Sequence, residues 1–155
     1  MDLKEIYKDY KSYLDKSIEI EGWIKNHRKQ KDFGFIDFND GTYFKNLQVV
    51  YDNTLTNFDD ISKLHIGSSI VVKGVLVKSE GKQDFELKAT DIILLGDCPD
   101  DYPLQSKGRP TREFLREIAY LRPRTNLFNA VFRVRSVAAM AIHTFFQNKG
   151  FVYVN

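Results

Sequence analysis

Two different hydrophobic patterns divide the chain. In five short segments, residues 18–25, 34–38, 47–51, 70–77 and 85–90, apolar and polar positions alternate with a period of two. This alternation predicts β-strands that bury one face and expose the other. After residue 125, apolar side chains recur at three- and four-residue spacing, which predicts a long helix. We therefore expect a β-rich part followed by a helical part.

A short helix is predicted between the third and fourth strands. Phe58, Ile61 and Leu64 are spaced for one helical face, with Asn57 as N-cap and Gly67 closing the segment. The resulting order, β-β-β-α-β-β, is that of a five-stranded OB-fold Greek-key barrel, so the fold is expected to be mainly β. Bulges are expected where strands bend, at glycines 22, 34 and 74. An SH3-like barrel or a small sandwich gives similar alternation and stays open at this point.

The C-terminal part begins after a polar stretch that contains three prolines. Thr111 is a predicted cap for a helix over residues 112–120, and Thr125 for a helix over 126–149 that Gly150 ends. Residues 151–154 are apolar and predict a strand. The long helix is apolar on more than one face and the strand has no visible partner. We therefore expect this to be the front part of a larger protein. The expected division is residues 1–97 for the barrel, 98–112 for a linker or hinge, and 113–155 for the start of a second domain.

Charge is distributed unevenly. The chain has 23 Lys and Arg against 21 Asp and Glu, a net charge of +2, which does not by itself indicate a nucleic-acid partner. Residues 107–135, however, carry eight basic and two acidic side chains. A basic segment of this kind is typical of contacts with phosphates.

The sequence argues against several other classes of protein. The single Cys98 excludes a disulfide framework, and the three histidines lack metal-ligand spacing, so no metal site is expected. No apolar stretch approaches about 18 residues and the N-terminus is too polar for a signal peptide, so we expect a cytoplasmic protein without membrane association. No nucleophile elbow, P-loop or dinucleotide-binding glycine motif occurs.

Aromatic side chains are interleaved with basic and amide groups on the first three predicted strands and the turns that join them. Bases of single-stranded RNA stack on aromatic rings, and amides and guanidinium groups read base edges. The residues concerned are Trp23, His27, Arg28, Phe33, Phe35, Tyr43, Phe44 and Gln48. By pattern alone, Phe33 and Phe35 are expected in the barrel core and Arg28 as a solvated side chain. Glu86, next to Lys88 on the polar face of the fifth strand, is expected in an exposed cross-strand ion pair.

The segments EGWIKNHRKQKDFGFID, LQVVYD and YPLQSKGRPTREFLREIAYLRPRTNLFNAVFRVRSVAAMAIHTFFQNKGFVYVN resemble the N-terminal third of bacterial members of the asparaginyl-tRNA synthetase family, in class IIb. The resemblance covers the whole chain. The barrel alone would also fit the aspartyl and lysyl families, whereas LRPRTN at 121–126 leading into FRVR resembles the asparaginyl branch.

The resemblance implies roles for particular residues. The OB barrel would bind the anticodon, with Phe35 stacked on its central uridine, Arg28 and Gln48 holding that base, and Glu86 near the first anticodon base. Lys107, Arg109 and Arg112 would be candidates for tRNA backbone contacts at the hinge. The long helix and the following strand would be motif 1, through which the synthetases form homodimers.

The resemblance also implies an activity for the whole enzyme. It would attach L-asparagine to tRNA(Asn) through an ATP-derived asparaginyl-adenylate, using ATP and Mg²⁺ held by motifs 2 and 3 beyond residue 155. The present chain would then contain no catalytic residue, bind no cofactor and be inactive alone. Two alternatives stay open: an aspartyl-tRNA synthetase of relaxed specificity, and a free-standing OB-fold nucleic-acid-binding protein.

Overall fold

A closed five-stranded barrel forms the centre of the N-terminal part of the chain. The computed structural model describes residues 1–105 and 110–154, which divide into two units, Met1–Arg109 and Pro110–Asn155. The strands are β1 (Ser17–Lys29), β2 (Phe33–Asn39), β3 (Leu47–Asp52), β4 (Ser69–Lys78) and β5 (Phe85–Gly96). The helices are α1 (Leu3–Lys8) and α2 (Phe58–Ile61) in the first unit, and α3 (Phe114–Glu117) and α4 (Asn126–Asn148) in the second. Single 3-10 turns cover Tyr10–Tyr13 and Arg122–Arg124.

The strand order confirms the predicted OB-fold. Around the barrel the strands follow β1-β2-β3-β5-β4, and β4 pairs with β1 to close it. All neighbours are antiparallel except β3 and β5, which pair in parallel. The helix α2 lies between β3 and β4 in the chain, as predicted. β5 extends past the predicted end at residue 90 to Gly96. The prediction stopped short because the second half of this strand is almost uniformly apolar and shows no alternation with a period of two.

The barrel interior is filled by one side chain from every second position of each strand. The helix α1 covers one end of the barrel, where Leu3 and Ile6 are fully buried. Asp40 fixes this helix by accepting a hydrogen bond from the Leu3 amide at 2.7 Å. The fully buried strand residues include Ile24, Ile36, Phe38, Leu47, Val49, Ile70, Val72, Leu76, Leu87 and Ile92.

The orientation of β2 differs from what the alternating pattern favoured. Ile36 and Phe38 point into the barrel, whereas Phe33 and Phe35 point outward, so their assignment to the core is wrong. The reason lies at Gly34, which faces inward beneath the buried ring of Tyr51. A Cβ at position 34 would come within 2.3 Å of that ring. Only glycine fits there, and this places the phenylalanines on the outer face.

One of the three glycines predicted to lie at bulges does so, and the other two do not. The register shifts on β1 between Ile24 and Asn26. It also shifts between β4 and β5 at Ser69/Ile70 and at Lys73/Gly74, where β5 has the extra residue, so Gly74 is the one predicted glycine that lies at a shift. The prediction is wrong for positions 22 and 34, where glycine is needed because another part of the chain approaches closely. The β1 bulge reverses the alternation, and Asn26 and Arg28 therefore pair with outward-facing residues of β2.

Two predicted N-caps make different hydrogen bonds. Asn57 precedes α2, but its amide nitrogen donates to the Ile92 carbonyl at 2.8 Å and so ties α2 to β5. Thr125 precedes α4, but its hydroxyl donates to the Arg122 carbonyl at 2.7 Å. Both helices begin near the predicted positions without the predicted caps.

In the second unit, the long helix is confirmed and the strand is not. The helix α4 ends in a Schellman motif: Gly150 has φ +83°, and the Phe151 amide donates to the Phe146 carbonyl at 3.1 Å. Residues 151–154 form no strand, because no strand of the described chain lies beside them to share a ladder. The short helix α3 is confined to four residues, with the Thr111 hydroxyl accepting a hydrogen bond from the Phe114 amide at 3.1 Å.

The described helices include none that is long and apolar enough to cross a membrane.

In the second unit, the guanidinium group of Arg122 lies over the rings of Phe128 and Phe132, at 5.1 and 5.5 Å from their centroids.

The packing of Tyr51 on Gly34 predicts the effect of adding one methyl group. Gly34→Ala should destabilise the barrel by about 1 to 3 kcal/mol, because the new Cβ overlaps a ring that is itself buried and hydrogen-bonded. Urea unfolding measures this change. Gly81→Ala is the matched control, since a Cβ there meets only the Ser79 hydroxyl at 3.4 Å. Equal stability of the two variants would contradict this account.

His27 links the barrel core to the segment after α2 and is held in its neutral form. Its Nδ1 donates to the Leu64 carbonyl at 2.9 Å, and its Nε2 accepts from the Tyr51 hydroxyl at 2.6 Å. Burial lowers the pKa of His27 below its ordinary value of 6.5, opposed in part by the Leu64 hydrogen bond and reinforced by Lys29. Burial also raises the pKa of Tyr51 to about 12, so its hydroxyl stays protonated.

The free energy of unfolding should therefore fall as the pH drops below 6.5, the ordinary pKa of histidine. In that range the unfolded chain binds a proton at His27 that the folded barrel excludes, and the loss continues until the pH passes the folded-state pKa. Urea unfolding followed by the fluorescence of Trp23, the single tryptophan, measures this dependence. His27→Gln should flatten it, and an unchanged pH dependence in that variant would refute the assignment.

Candidate nucleic-acid interface

The outer face of β1, β2, β3 and β5 carries three parallel rows of side chains, which we call the outer rows. The strand register puts Asn26, Asp37 and Gln48 in the first row, and the register of β3 with β5 adds Glu86. The second row contains Arg28, Phe35, Val50 and Lys88. The third contains Phe33 and Asp52. Four residues predicted to bind the anticodon, Arg28, Phe35, Gln48 and Glu86, thus lie on adjacent strands in two neighbouring rows.

A chain of hydrogen bonds joins three of these residues. Arg28 donates to Gln48 Oε1 at 3.2 Å, and Gln48 Nε2 donates to Glu86 Oε2 at 3.0 Å. Ser79, in the loop between β4 and β5, donates to the same carboxylate oxygen at 2.9 Å. Each side chain is therefore positioned by its neighbours before any ligand arrives.

Phe35 supplies the aromatic surface beside this chain of hydrogen bonds. The guanidinium carbon of Arg28 lies 5.3 Å from the centroid of the Phe35 ring, a cation–π contact across the β1–β2 pair. Phe33, two residues earlier on β2, meets Phe35 edge to face, with ring centroids 5.5 Å apart. The half-buried Phe35 ring is thus in contact with a cation and with a second aromatic group.

The acidic groups of the first row are partly compensated. Asp37 Oδ1 lies 3.9 Å from the Arg28 guanidinium, and its Oδ2 accepts a hydrogen bond from the Asn26 amide at 3.3 Å. Arg28 and Asp37 are substantially exposed, so this pair contributes little to stability. Its effect is to orient Arg28 from the second row toward the first.

Sequence reasoning missed several of these contacts. In place of the expected exposed cross-strand ion pair, Glu86 accepts hydrogen bonds from Gln48 and Ser79, with Gln83 Nε2 at 3.5 Å. Glu86 and Lys88 belong to different rows of the face, a fact that only the register reveals. No signal in the sequence marks Ser79, because it lies in a loop.

Four other candidates lie elsewhere. His27 faces the core, and Trp23 lies on the far side of the bulge, where it pairs with Ser69 and Asn39. Tyr43 stacks on Tyr7 at 4.6 Å, near α1. Phe44 follows Tyr43 in the β2–β3 connection.

Of the three residues predicted to contact the tRNA backbone, one lies within the described residues. Lys107 and Arg109 lie outside the described residues. Arg112 is exposed in the second unit, two residues before α3. Residues 98–105, assigned to the linker, pack on the barrel: Cys98 is buried, and the Gln105 amide donates to the Ile66 carbonyl at 3.2 Å.

Taken together, the outer rows can stack a flat ring and satisfy polar groups on its edge. An aromatic ring, an amide, a guanidinium group and a carboxylate within two rows form the combination with which OB-folds bind single-stranded nucleic acid. Within the described residues, no group of three or more His, Cys, Asp or Glu side chains is placed to hold a metal ion.

Comparison with known proteins agrees with this chemistry. An asparagine-tRNA ligase of Desulfitobacterium hafniense (strain Y51) is 55% identical over 154 residues, which is 99% of this chain and 33% of that protein. The asparagine-tRNA ligase of Acholeplasma laidlawii (strain PG-8A) is also 55% identical, over 155 residues, with the same coverage. The chain spans about a third of the length of the curated relatives it matches.

Solved structures share the fold. The crystal structure of asparaginyl-tRNA synthetase from Pyrococcus horikoshii matches 93% of this chain and 35% of its own, with a TM-score of 0.79 at 19% identity. A putative aspartyl-tRNA synthetase from Leishmania major Friedlin matches 100% of this chain and 33% of its own, with a TM-score of 0.83 at 17% identity. At these identities the likeness concerns architecture alone.

The family of the chain is shown by a match that covers the barrel. A family model for tRNA anti-codon domains, described as an OB-fold nucleic acid binding domain, matches residues 18–95. This range runs from the second residue of β1 almost to the end of β5 and includes Arg28, Phe35, Gln48 and Glu86. The chain therefore belongs to the tRNA anti-codon family of OB-fold nucleic acid binding domains.

Proposed function

We propose that the outer rows bind the anticodon of tRNA(Asn) and that the whole protein is an asparagine-tRNA ligase. The observation that carries this proposal is the hydrogen-bonded series Arg28, Gln48 and Glu86 beside the half-buried ring of Phe35. The relatives with 55% identity are named asparagine-tRNA ligases, which favours this function over an aspartyl enzyme or a free-standing binding protein.

The central anticodon base, a uridine, would stack on Phe35 and present its edge to Gln48. Uridine offers one N–H donor between two carbonyl acceptors. Gln48 Oε1 accepts from Arg28 but has a second lone pair, and Gln48 Nε2 donates to Glu86 but has a second proton. The amide can therefore form two further hydrogen bonds with the base while keeping the contacts that position it. Arg28 would donate to a remaining carbonyl.

Glu86 would contact the first anticodon base. Its carboxylate accepts hydrogen bonds only, so it suits a base that presents N–H donors on its Watson–Crick edge. Ser79 and Gln48 donate to one of its oxygens, Oε2. The other oxygen is the natural acceptor for the base.

Lys107, Arg109 and Arg112 would contact the tRNA backbone. They belong to the basic segment that separates the barrel from the helices, and phosphate contacts of this kind position a nucleic acid without reading its sequence.

In the whole enzyme, L-asparagine would be activated by ATP and transferred to tRNA(Asn). Within the described residues, no group of three or more His, Cys, Asp or Glu side chains is placed to hold a metal ion, and the chain matches only about a third of the length of its relatives. We therefore assign the chemistry to the part of the relatives' length that this chain does not match, and expect no aminoacylation from these residues alone. A cytoplasmic location follows from participation in protein synthesis.

We further propose that α4 forms a homodimer interface. Large apolar side chains are exposed along the helix, including Val134, Val137 and Met140, and Val137 is 70% exposed. Exposed apolar surface of this extent is typical of a face that a second subunit covers.

The anticodon assignment predicts the effect of removing its stacking and edge contacts. Phe35→Ala with Gln48→Ala should weaken binding of tRNA(Asn) by about 2 to 4 kcal/mol, measured as a dissociation constant at fixed salt. Glu19→Ala with Lys73→Ala, an exposed ion pair of 3.3 Å between β1 and β4, is the control and should bind normally. Unchanged affinity in the first double variant would refute the assignment of these residues.

The dimer assignment predicts a change in mass. Val137→Glu should shift the protein from dimer to monomer, raising the dissociation constant of the dimer by at least about tenfold, because a buried carboxylate would lie unpaired in the interface. Sedimentation equilibrium measures the change. Thr90→Glu, on the exposed side of β5, adds the same charge and should leave the dimer intact. A wild-type protein that is monomeric at all concentrations would contradict the proposal.

A further inference from the structure

Phe33 is an exposed aromatic residue of the outer rows to which the proposed function assigns no base. It is 37% exposed, although it is a large apolar side chain at the start of β2. Its ring is perpendicular to that of Phe35 and its centroid lies 5.5 Å away. A second ring in this position extends the aromatic surface past Phe35 into the third row.

The backbone on both sides of Phe33 is fixed. The Gln30 amide donates to the Phe33 carbonyl at 2.9 Å, closing the turn between β1 and β2. The Asn53 amide donates to the Asp32 carbonyl at 3.0 Å, which ties the end of β3 to the same turn. The ring of Phe33 is thus mounted on a rigid part of the barrel, as a binding surface requires.

The cross-strand neighbour of Phe33 does not compete for a ligand. Asp52 pairs with Phe33 in the register, but its carboxylate accepts hydrogen bonds from the amide and hydroxyl of Thr54. One of its two oxygens, Oδ1, is therefore directed back to its own loop. Lys88, in the second row, supplies a positive charge near Asp52.

The positions of the other candidate binding residues indicate the direction in which an RNA strand would cross the outer rows. Glu86 and Gln48 lie in the first row, Phe35 in the second and Phe33 in the third. The rings of Phe35 and Phe33 are perpendicular, with centroids 5.5 Å apart, so bases stacked on the two rings could not lie parallel to each other. Bases on the two rings would therefore be splayed apart, as in the single-stranded loops that proteins read.

We propose that Phe33 is a second stacking surface, which binds the third anticodon base. This inference rests on the proposed function: with the first base at Glu86 and the central base on Phe35, the next nucleotide continues in the same direction and reaches Phe33. The third base would then be held by ring contact, while the central base is read by its edge.

The test compares two RNA hairpins that carry the asparagine anticodon loop, one intact and one with an abasic residue at the third anticodon position. Phe33→Leu keeps an apolar side chain but removes the ring. It should weaken binding of the intact hairpin by about 5- to 150-fold, the range for one stacked base, and should change binding of the abasic hairpin by less than about twofold. Phe33→Trp should bind the intact hairpin as well as the wild type.

Two results would overturn the proposal. One is unchanged affinity of Phe33→Leu for the intact hairpin. The other is an equal loss on both hairpins, which would mean that Phe33 only supports Phe35. Thermal unfolding of each variant verifies the barrel, and Phe33→Trp tests the ring independently if the leucine variant unfolds.

Phe35→Leu and Gln48→Ala separate this inference from the proposed function. Both should weaken binding of the intact and of the abasic hairpin, because they act on the central base. If neither variant weakens either complex, the anticodon assignment itself fails. If both weaken binding and Phe33→Leu does not, only the role of Phe33 fails.

Discussion

The close packing of Tyr51 on Gly34 is the constraint on which the binding face depends. Because a side chain at position 34 would overlap the tyrosine ring, this position must face inward, and the period of two then directs Phe33 and Phe35 outward. The same tyrosine hydroxyl donates to His27 on β1, so one buried residue fixes the facing of two strands. The outer rows are therefore a consequence of how the core is filled.

The bulge on β1 completes the arrangement. Without the register shift after Ile24, Arg28 would point with the inward residues of its strand and could not reach Phe35 or Gln48. The proposed binding face thus depends on two local departures from regular structure, an inward glycine on β2 and an extra residue on β1.

Much of the fold could be predicted from the sequence, and the details of the site could not. The five strands and the long helix follow from periodicity, which is a local property. The outward facing of Phe35 could not be derived in this way, because both phases of β2 contain large apolar residues, and Tyr51 decides between them from another strand. Resemblance to a family located Arg28, Phe35, Gln48 and Glu86, but their hydrogen bonds depend on register and on the loop residue Ser79. The predicted strand at 151–154 does not form. A strand needs a neighbouring strand to pair with, and the pattern of apolar residues gives no information about such a partner.

The hydrogen bonds on the two sides of Gln48 have a consequence for base discrimination. A guanidinium group can only donate and a carboxylate can only accept, so the oxygen of the Gln48 amide must face Arg28 and its nitrogen must face Glu86. Rotating the amide by half a turn would break both contacts at once. Cytosine presents the reverse order of donor and acceptor to that of uridine, and would need the rotated amide. In the proposed complex, the neighbours of Gln48 would therefore favour uridine over cytosine by the direction of their hydrogen bonds.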